Sequence, residues 1–169
     1  ISLIQDIRFD VGLVGGVKNQ TKSQISFTNG SKIKAFSSNP KGMRGTRALC
    51  VYLDEMAHLE HDQDVYDAVN YFIQEGGQLS VLSTPFGKQN LYWRIWSDKQ
   101  SYPDWVRLDV KPFSGTVDLN RSIQSQIDEG VIVPIIPWLN IDKVDADRKA
   151  DSHNGYRNFM QEMLGIPLE

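Results

Sequence analysis

The sequence predicts an α/β fold, with a mostly parallel sheet and helices on both faces, and three observations carry that expectation. Two short apolar runs, Leu49-Cys50-Val51-Tyr52-Leu53 and Leu79-Ser80-Val81-Leu82-Ser83, have the length and continuity of strands covered on both sides. Between them Val65, Ala68, Val69, Phe72 and Ile73 recur at i, i+3, i+4, i+7 and i+8, the stripe of an amphipathic helix. Alternation of strand and helix continues past residue 89, the pattern of parallel crossover units.

Taken in chain order, residues 1–9 read as the end of a helix. A hairpin follows, residues 24–27 and 32–36, around Thr28-Asn29-Gly30. A three-residue loop with Gly30 left-handed sets Ile25 opposite Ile33 and keeps Phe27 on their face. A two-residue Asn-Gly turn would set Ile25 against Lys34 and Phe27 against Lys32, splitting the apolar face. Residues 37–47, polar and holding Pro40, Gly42 and Gly45, read as a loop leading into the 49–53 strand. The clearest helix spans 62–75, with Gly76-Gly77 as its stop. The second buried strand, 79–83, is halted by Pro85. A short aromatic helix at 89–97 and a strand at 105–110 extend the alternation. Helices at 118–129, 141–150 and 155–164 complete the chain.

Composition narrows the class. With 169 residues, 40% hydrophobic and 23% charged, the chain is an ordinary globular protein, not a disordered, collagenous or disulfide-scaffold sequence. A chain of this length buries roughly two thirds of its unfolded surface and needs no covalent staple. No window approaches the roughly 18 consecutive apolar residues of a membrane span, and no signal-peptide core is present at the start. The single cysteine, Cys50, cannot form an internal disulfide, which fits a reducing compartment; within its apolar run it reads as a small buried hydrophobe. The first residue is Ile, which suggests a piece of a longer protein.

The net charge of −3 hides an asymmetry. Residues 11–53 carry seven cations (Lys18, Lys22, Lys32, Lys34, Lys41, Arg44, Arg47) and no acid. Residues 54–80 carry seven acids (Asp54, Glu55, Glu60, Asp62, Asp64, Asp67, Glu75) and no Lys or Arg. A basic stretch meeting an acidic one suggests a polyanion and a metal ion as partners, or two solvated faces that pair with each other.

Three segments carry candidate chemistry. The run Leu49 to Leu53 ends in Asp54-Glu55, which puts two carboxylates at the carboxyl edge of the sheet, where open α/β folds bind ligands. In phosphoryl transfer the first acid can hold Mg²⁺ and the second can orient or deprotonate an attacking water. A strand that simply turns polar on meeting solvent would look the same. The second strand ends at the same edge in Ser83-Thr84-Pro85, whose hydroxyls could bond a phosphate, a water or Glu55, or be satisfied locally. Consecutive parallel strands often lie side by side, which would bring these hydroxyls to Asp54-Glu55. Arg44, flanked by Gly42 and Gly45, could reach a γ-phosphate from its loop or form part of a solvated basic turn.

In this order the segments resemble the ATPase domain of the large terminase subunit, the DNA-packaging motor of tailed bacteriophages. The resemblance runs through Ile25-Ser26-Phe27-Thr28-Asn29-Gly30-Ser31-Lys32-Ile33, Gly42-Met43-Arg44-Gly45, and Val51-Tyr52-Leu53-Asp54-Glu55-Met56-Ala57. It continues through Leu82-Ser83-Thr84-Pro85-Phe86-Gly87-Lys88-Gln89-Asn90-Leu91-Tyr92-Trp93-Arg94-Ile95-Trp96 and ends at Asn158-Phe159-Met160-Gln161-Glu162-Met163-Leu164-Gly165. It implies an incomplete P-loop NTPase of the RecA-like (ASCE) type spanning residues 1–169. By the same resemblance Asp54 is the Walker B aspartate that binds Mg²⁺, and Glu55 is the catalytic glutamate that activates water for attack on ATP. Ser83 and Thr84 are implied to couple hydrolysis to movement, and Arg44 to act as a finger toward a neighbouring subunit's ATP. The implied partners are double-stranded DNA, a portal protein, a small terminase subunit and further copies in a ring, with no membrane, in the cytoplasm of a bacterial host.

The departures matter as well. A Walker A loop, G-x-x-x-x-G-K-[ST], is absent; Gly12-Leu13-Val14-Gly15-Gly16-Val17-Lys18-Asn19 fails in spacing and in the final hydroxyl. The expectation is therefore the C-terminal part of a motor domain, with the P-loop upstream, a nuclease domain downstream, and no useful ATP hydrolysis by this chain alone. His58 and His61, spaced i, i+3, read as a solvated helix start, not a metal site. Asp109 pairing with Asp54 in a two-metal nuclease, and Tyr92, Trp93 and Trp96 as a base-stacking platform, are weaker readings than structural roles. The competing functions are a superfamily-2 helicase-like ATPase and a non-catalytic DNA-binding or assembly module.

Overall fold

The computed structural model describes residues 16–39, 42 and 46–168. The helix expected at residues 1–9 lies outside them. The hairpin forms as its apolar pattern requires: β2 (Gln24–Phe27) and β3 (Lys32–Lys34) pair with Ile25 opposite Ile33. Gly30 has φ 89°, and its N–H donates to the Phe27 carbonyl across the three-residue loop. A strand not anticipated, β1 (Val17–Gln20), adds antiparallel to β2 with a bulge between Val17 and Asn19.

The second sheet holds the parallel pair. β4 (Ala48–Leu53) runs beside β5 (Ile73–Val81), joined through helix α1 (Asp62–Phe72). Val65, Val69 and Phe72 of α1 are buried with Leu53, Met56, Leu91 and Ile95, the last two from helix α2 (Leu91–Ser97). Each such side chain contributes about 1.5–3 kcal/mol by leaving water. Asn90 caps α2 by accepting the Trp93 N–H at 2.8 Å.

Several expectations are corrected here. The 49–53 strand is not covered on both faces: Leu49 is 61% and Tyr52 71% exposed, and Cys50 is exposed rather than buried. Among the described residues α1 and α2 pack on one face of a two-stranded ladder, so the other face has no layer over it. Helix α1 stops at Phe72, not at Gly76-Gly77. Ile73 turns extended and pairs with Ala48, and β5 then advances five residues while β4 advances two. The glycines serve that bulge. Gly76 has φ 75°, and a Cβ on Gly77 would sit 2.7–2.8 Å from Ile73, Gln74 and Leu49 atoms.

Residues 105–110 form no ladder. The Arg107 guanidinium donates to the Ile95, Tyr102 and Trp105 carbonyls, tying the segment to the end of α2, while Val106, Leu108 and Val110 face solvent. A small antiparallel pair, β6 (Phe113–Ser114) with β7 (Val133–Pro134), was not anticipated. Thus among the described residues the sheets are not mostly parallel: one parallel pair accompanies two antiparallel sheets.

The helix expected at 118–129 shortens to α3 (Ile123–Asp128). Buried Gln126 reaches back to the 118–122 turn, donating to the Asp118 carbonyl and accepting the Asp118 N–H, so that turn is held non-helical. α4 (Ile141–Ala150) falls where its sequence placed it. The expected 155–164 helix is reduced by Gly155 and Tyr156, both left-handed, to a π-helical turn at Phe159–Met163. Phe113, Ile123, Ile132, Val144 and Phe159 form the second core cluster. Among the described residues no helix is long and apolar enough to cross a membrane.

Candidate active-site corner

The corner is built by the ends of β4 and β5. Beyond the strands the backbones stay joined: the Leu82 N–H donates to the Leu53 carbonyl at 2.9 Å, and the Met56 N–H to the Leu82 carbonyl at 3.3 Å. Met56 and Ala57 are buried in the turn that follows. Fixing both sides of the turn leaves little choice for Glu55, which adopts φ 51°, ψ 41°, the left-handed region that a residue with a Cβ normally avoids. Its side chain is 58% exposed and stands at the sheet's carboxyl edge.

The parallel pairing brings Ser83 to Glu55, as the strand order suggests, whereas the Thr84 hydroxyl meets His58 and Glu162. Ser83 Oγ accepts the Ala57 N–H at 3.1 Å. Its one proton stands 2.7 Å from the Thr84 carbonyl and 3.4 Å from Glu55 Oε2, heavy atom to heavy atom, so it can serve only one at a time. Tyr92 closes the back by donating its hydroxyl to the Ser83 carbonyl at 3.2 Å. Burial, then the negative charges of Asp109 and Glu55, push the Tyr92 hydroxyl's pKa up, keeping it a donor.

Two participants were missed by sequence reasoning. Thr84 Oγ1 donates to Glu162 Oε2 at 3.0 Å, across 78 positions of sequence. His58 Nε2 lies 3.1 Å from the same hydroxyl and 3.8 Å from Glu55 Oε2. Since the Thr84 proton goes to Glu162, the hydrogen bond assigns the His58 proton to Nε2. His58 also packs on Phe86 with ring centroids 4.7 Å apart, beside an open groove that Asn90 and Lys88 help to line. His58 is thus a partner within the corner and not only a solvated helix start. Nothing local in the sequence ties Glu162 to Thr84; only the quoted terminal segment singled that region out.

Asp54 is exposed at the end of β4, and among the described residues no basic side chain pairs with it. Among those residues no group of three or more His, Cys, Asp or Glu side chains gathers around a metal position. A lone exposed carboxylate fits Mg²⁺, which keeps several waters and takes one or two protein carboxylates beside substrate phosphates. It does not fit a protein-caged ion such as structural zinc. Arg44, the proposed finger, lies outside the described residues.

Residues 3–131 match the family model described as terminase large subunit, T4likevirus-type, N-terminal. Over 77 residues the chain is 36% identical to the Mu-like prophage FluMu protein gp28 of Haemophilus influenzae. That match takes in 46% of this chain and 15% of the prophage protein.

Proposed function

Starting from the fact that this chain belongs to the terminase large-subunit family, we propose that it forms part of an ATP-hydrolysing motor that packages double-stranded phage DNA. The observation that carries the reading is the juncture of β4 and β5, where Glu55 Oε2 stands 3.4 Å from Ser83 Oγ beside an open carboxylate at Asp54. The match over residues 3–131 favours it over a helicase-like ATPase of superfamily 2.

In this reading Asp54 is the residue that would hold Mg²⁺, and the ion would supply positive charge against the phosphates. Glu55 accepts a proton from the attacking water, in the role that a carboxylate at the strand edge can fill. Its left-handed backbone is held by the buried Met56-Ala57 turn, and its side chain meets Ser83 and His58. Ser83 can turn its proton between Glu55 and the Thr84 carbonyl, so the hydrogen-bond state of the glutamate is relayed to the chain that follows β5. Thr84 passes that state to Glu162, which is the coupling role proposed for the Ser83-Thr84 pair. Arg44 is proposed to reach a neighbouring subunit's ATP. The P-loop NTPase fold, a ring assembly, the portal and the small subunit belong to the same proposal. The 169 residues contain no G-x-x-x-x-G-K-[ST] loop, so the isolated chain is expected not to turn ATP over.

The test is ATP hydrolysis and DNA translocation by the full-length protein carrying Thr84→Ala. Coupling through Thr84 predicts that translocation falls at least tenfold more than basal hydrolysis does. Equal losses in both would refute the coupling role.

A further inference from the structure

Of the five described cations of the basic stretch, Lys18, Lys22, Lys32 and Lys34 belong to the three-stranded sheet and its β1–β2 turn, and Arg47 precedes β4. Register puts Lys32 and Lys34 of β3 on one face, in rows with Ser26 and Gln24 of β2; Asn19 of β1 extends the Ser26 row. The opposite face carries Ile25, Phe27 and Ile33, of which Ile25 and Phe27 are buried. Lys22 stands in the β1–β2 turn and Lys18 at the β1 bulge, and all four lysines are exposed. No acid occurs anywhere in residues 11–53, although the chain has more acids than bases. None of these four lysines is in an ion pair or side-chain hydrogen bond among the described residues.

A sheet with one apolar face buried normally solvates the other with mixed charges, because a single sign repels itself. Here only one sign is present, and that uncompensated field has a use if a polyanion covers it. Lys32 and Lys34 are two positions apart on an antiparallel strand, an advance of about 6.8 Å. Two lysines so spaced can each meet a separate phosphate of one DNA strand. The uncharged members of the rows, Asn19, Gln24 and Ser26, are hydrogen-bonding side chains of the kind that contact phosphate and sugar.

We infer that the Lys32–Lys34 face of the β1–β2–β3 sheet is a contact surface for the phosphate backbone of duplex DNA. The terminase reading supplies only the choice of duplex DNA as the polyanion; the surface itself follows from the register and the missing acids. Backbone contact of this kind carries no sequence preference and suits a protein that moves along its substrate.

The experiment is fluorescence-anisotropy binding of the 169-residue chain to a random-sequence 30-base-pair duplex across a series of salt concentrations. Lys32→Gln/Lys34→Gln is compared with Lys99→Gln/Lys143→Gln as a charge-matched control, and circular dichroism checks that both pairs fold. If each lysine neutralises one phosphate, the slope of log affinity against log salt becomes about 1.8 less steep. Affinity at 0.1 M salt then falls roughly 60-fold, while the control stays near wild type. Equal losses in the control, an unchanged slope, or no duplex binding by the wild type at low salt would each overturn the inference. The measurement uses no nucleotide, so it can fail while the hydrolytic reading of Glu55 stands, and the reverse.

Discussion

The left-handed backbone at Glu55 gives a prediction that separates function from stability. A non-glycine residue in this region costs about 1–2 kcal/mol, whereas glycine adopts it freely but gives up about 0.5–1 kcal/mol in unfolded-chain entropy. Glu55→Gly should therefore gain about 0.5–1 kcal/mol from the backbone. Little is lost with the side chain, which is mostly exposed and makes only a 3.4 Å contact to Ser83 and a 3.8 Å approach to His58. Glu55→Ala removes the same contacts but keeps the strain, so it should lie within about 0.5 kcal/mol of wild type. Urea unfolding of the 169-residue chain, followed by tryptophan fluorescence and far-ultraviolet dichroism, measures the difference. For a domain of this size the gain for glycine corresponds to about 1–4 °C in Tm. A glycine variant no more stable than the alanine variant would refute the strain and, with it, the idea that the turn sacrifices stability to aim this carboxylate.

Further expectations follow from other contacts. Ser83→Ala leaves the buried Ala57 N–H without its acceptor and should cost about 1–3 kcal/mol in urea unfolding, with Ser83→Thr recovering most of it. Burial works against the Asp145 charge, but hydrogen bonds from Lys149, the Ile123 N–H and Arg148 outweigh it and hold its pKa at about 2. Because that value lies below the unfolded value of about 3.9, the stabilisation is full above about pH 4 and is lost as pH falls through about 2. Asp145→Asn should flatten that acid limb in a pH series of Tm values and cost about 1–2 kcal/mol at neutral pH. Arg107→Met removes donors to three carbonyls and should release residues 105–110, read as faster amide exchange at Ile95 to Val110 with α4 unchanged.

The sequence was most informative where one physical constraint decided the outcome. Register in the β2–β3 hairpin followed from the need to keep Ile25, Phe27 and Ile33 on one face, and Gly30 supplied the conformation. Pairing of β4 with β5 followed from two apolar runs flanking one helical stripe, and it carried Ser83 to Glu55. Reading failed where two elements compete for one residue. Ile73 fits the α1 stripe, but its place opposite Ala48 in the ladder wins, and Gly76-Gly77 becomes a bulge. Continuous apolarity at 49–53 predicted two covered faces, yet among the described residues only one layer packs on the pair, so Cys50 and Tyr52 stay exposed. Arg107 and Gln126 redirect local backbone through bonds to carbonyls that no periodicity reveals. The Glu162 contact depends on a long-range approach between segments 78 residues apart, which a single sequence does not encode locally.

The most direct test of the hydrolytic corner is ATP turnover by the full-length protein with Glu55→Gln, measured beside nucleotide binding. The isosteric change keeps the shape at the strand edge and removes only the ability to take a proton. General-base chemistry at Glu55 predicts that kcat falls at least about 100-fold while ATP affinity changes little. Turnover close to wild type in a variant that still binds ATP would contradict the assignment of Glu55 as the residue that activates water.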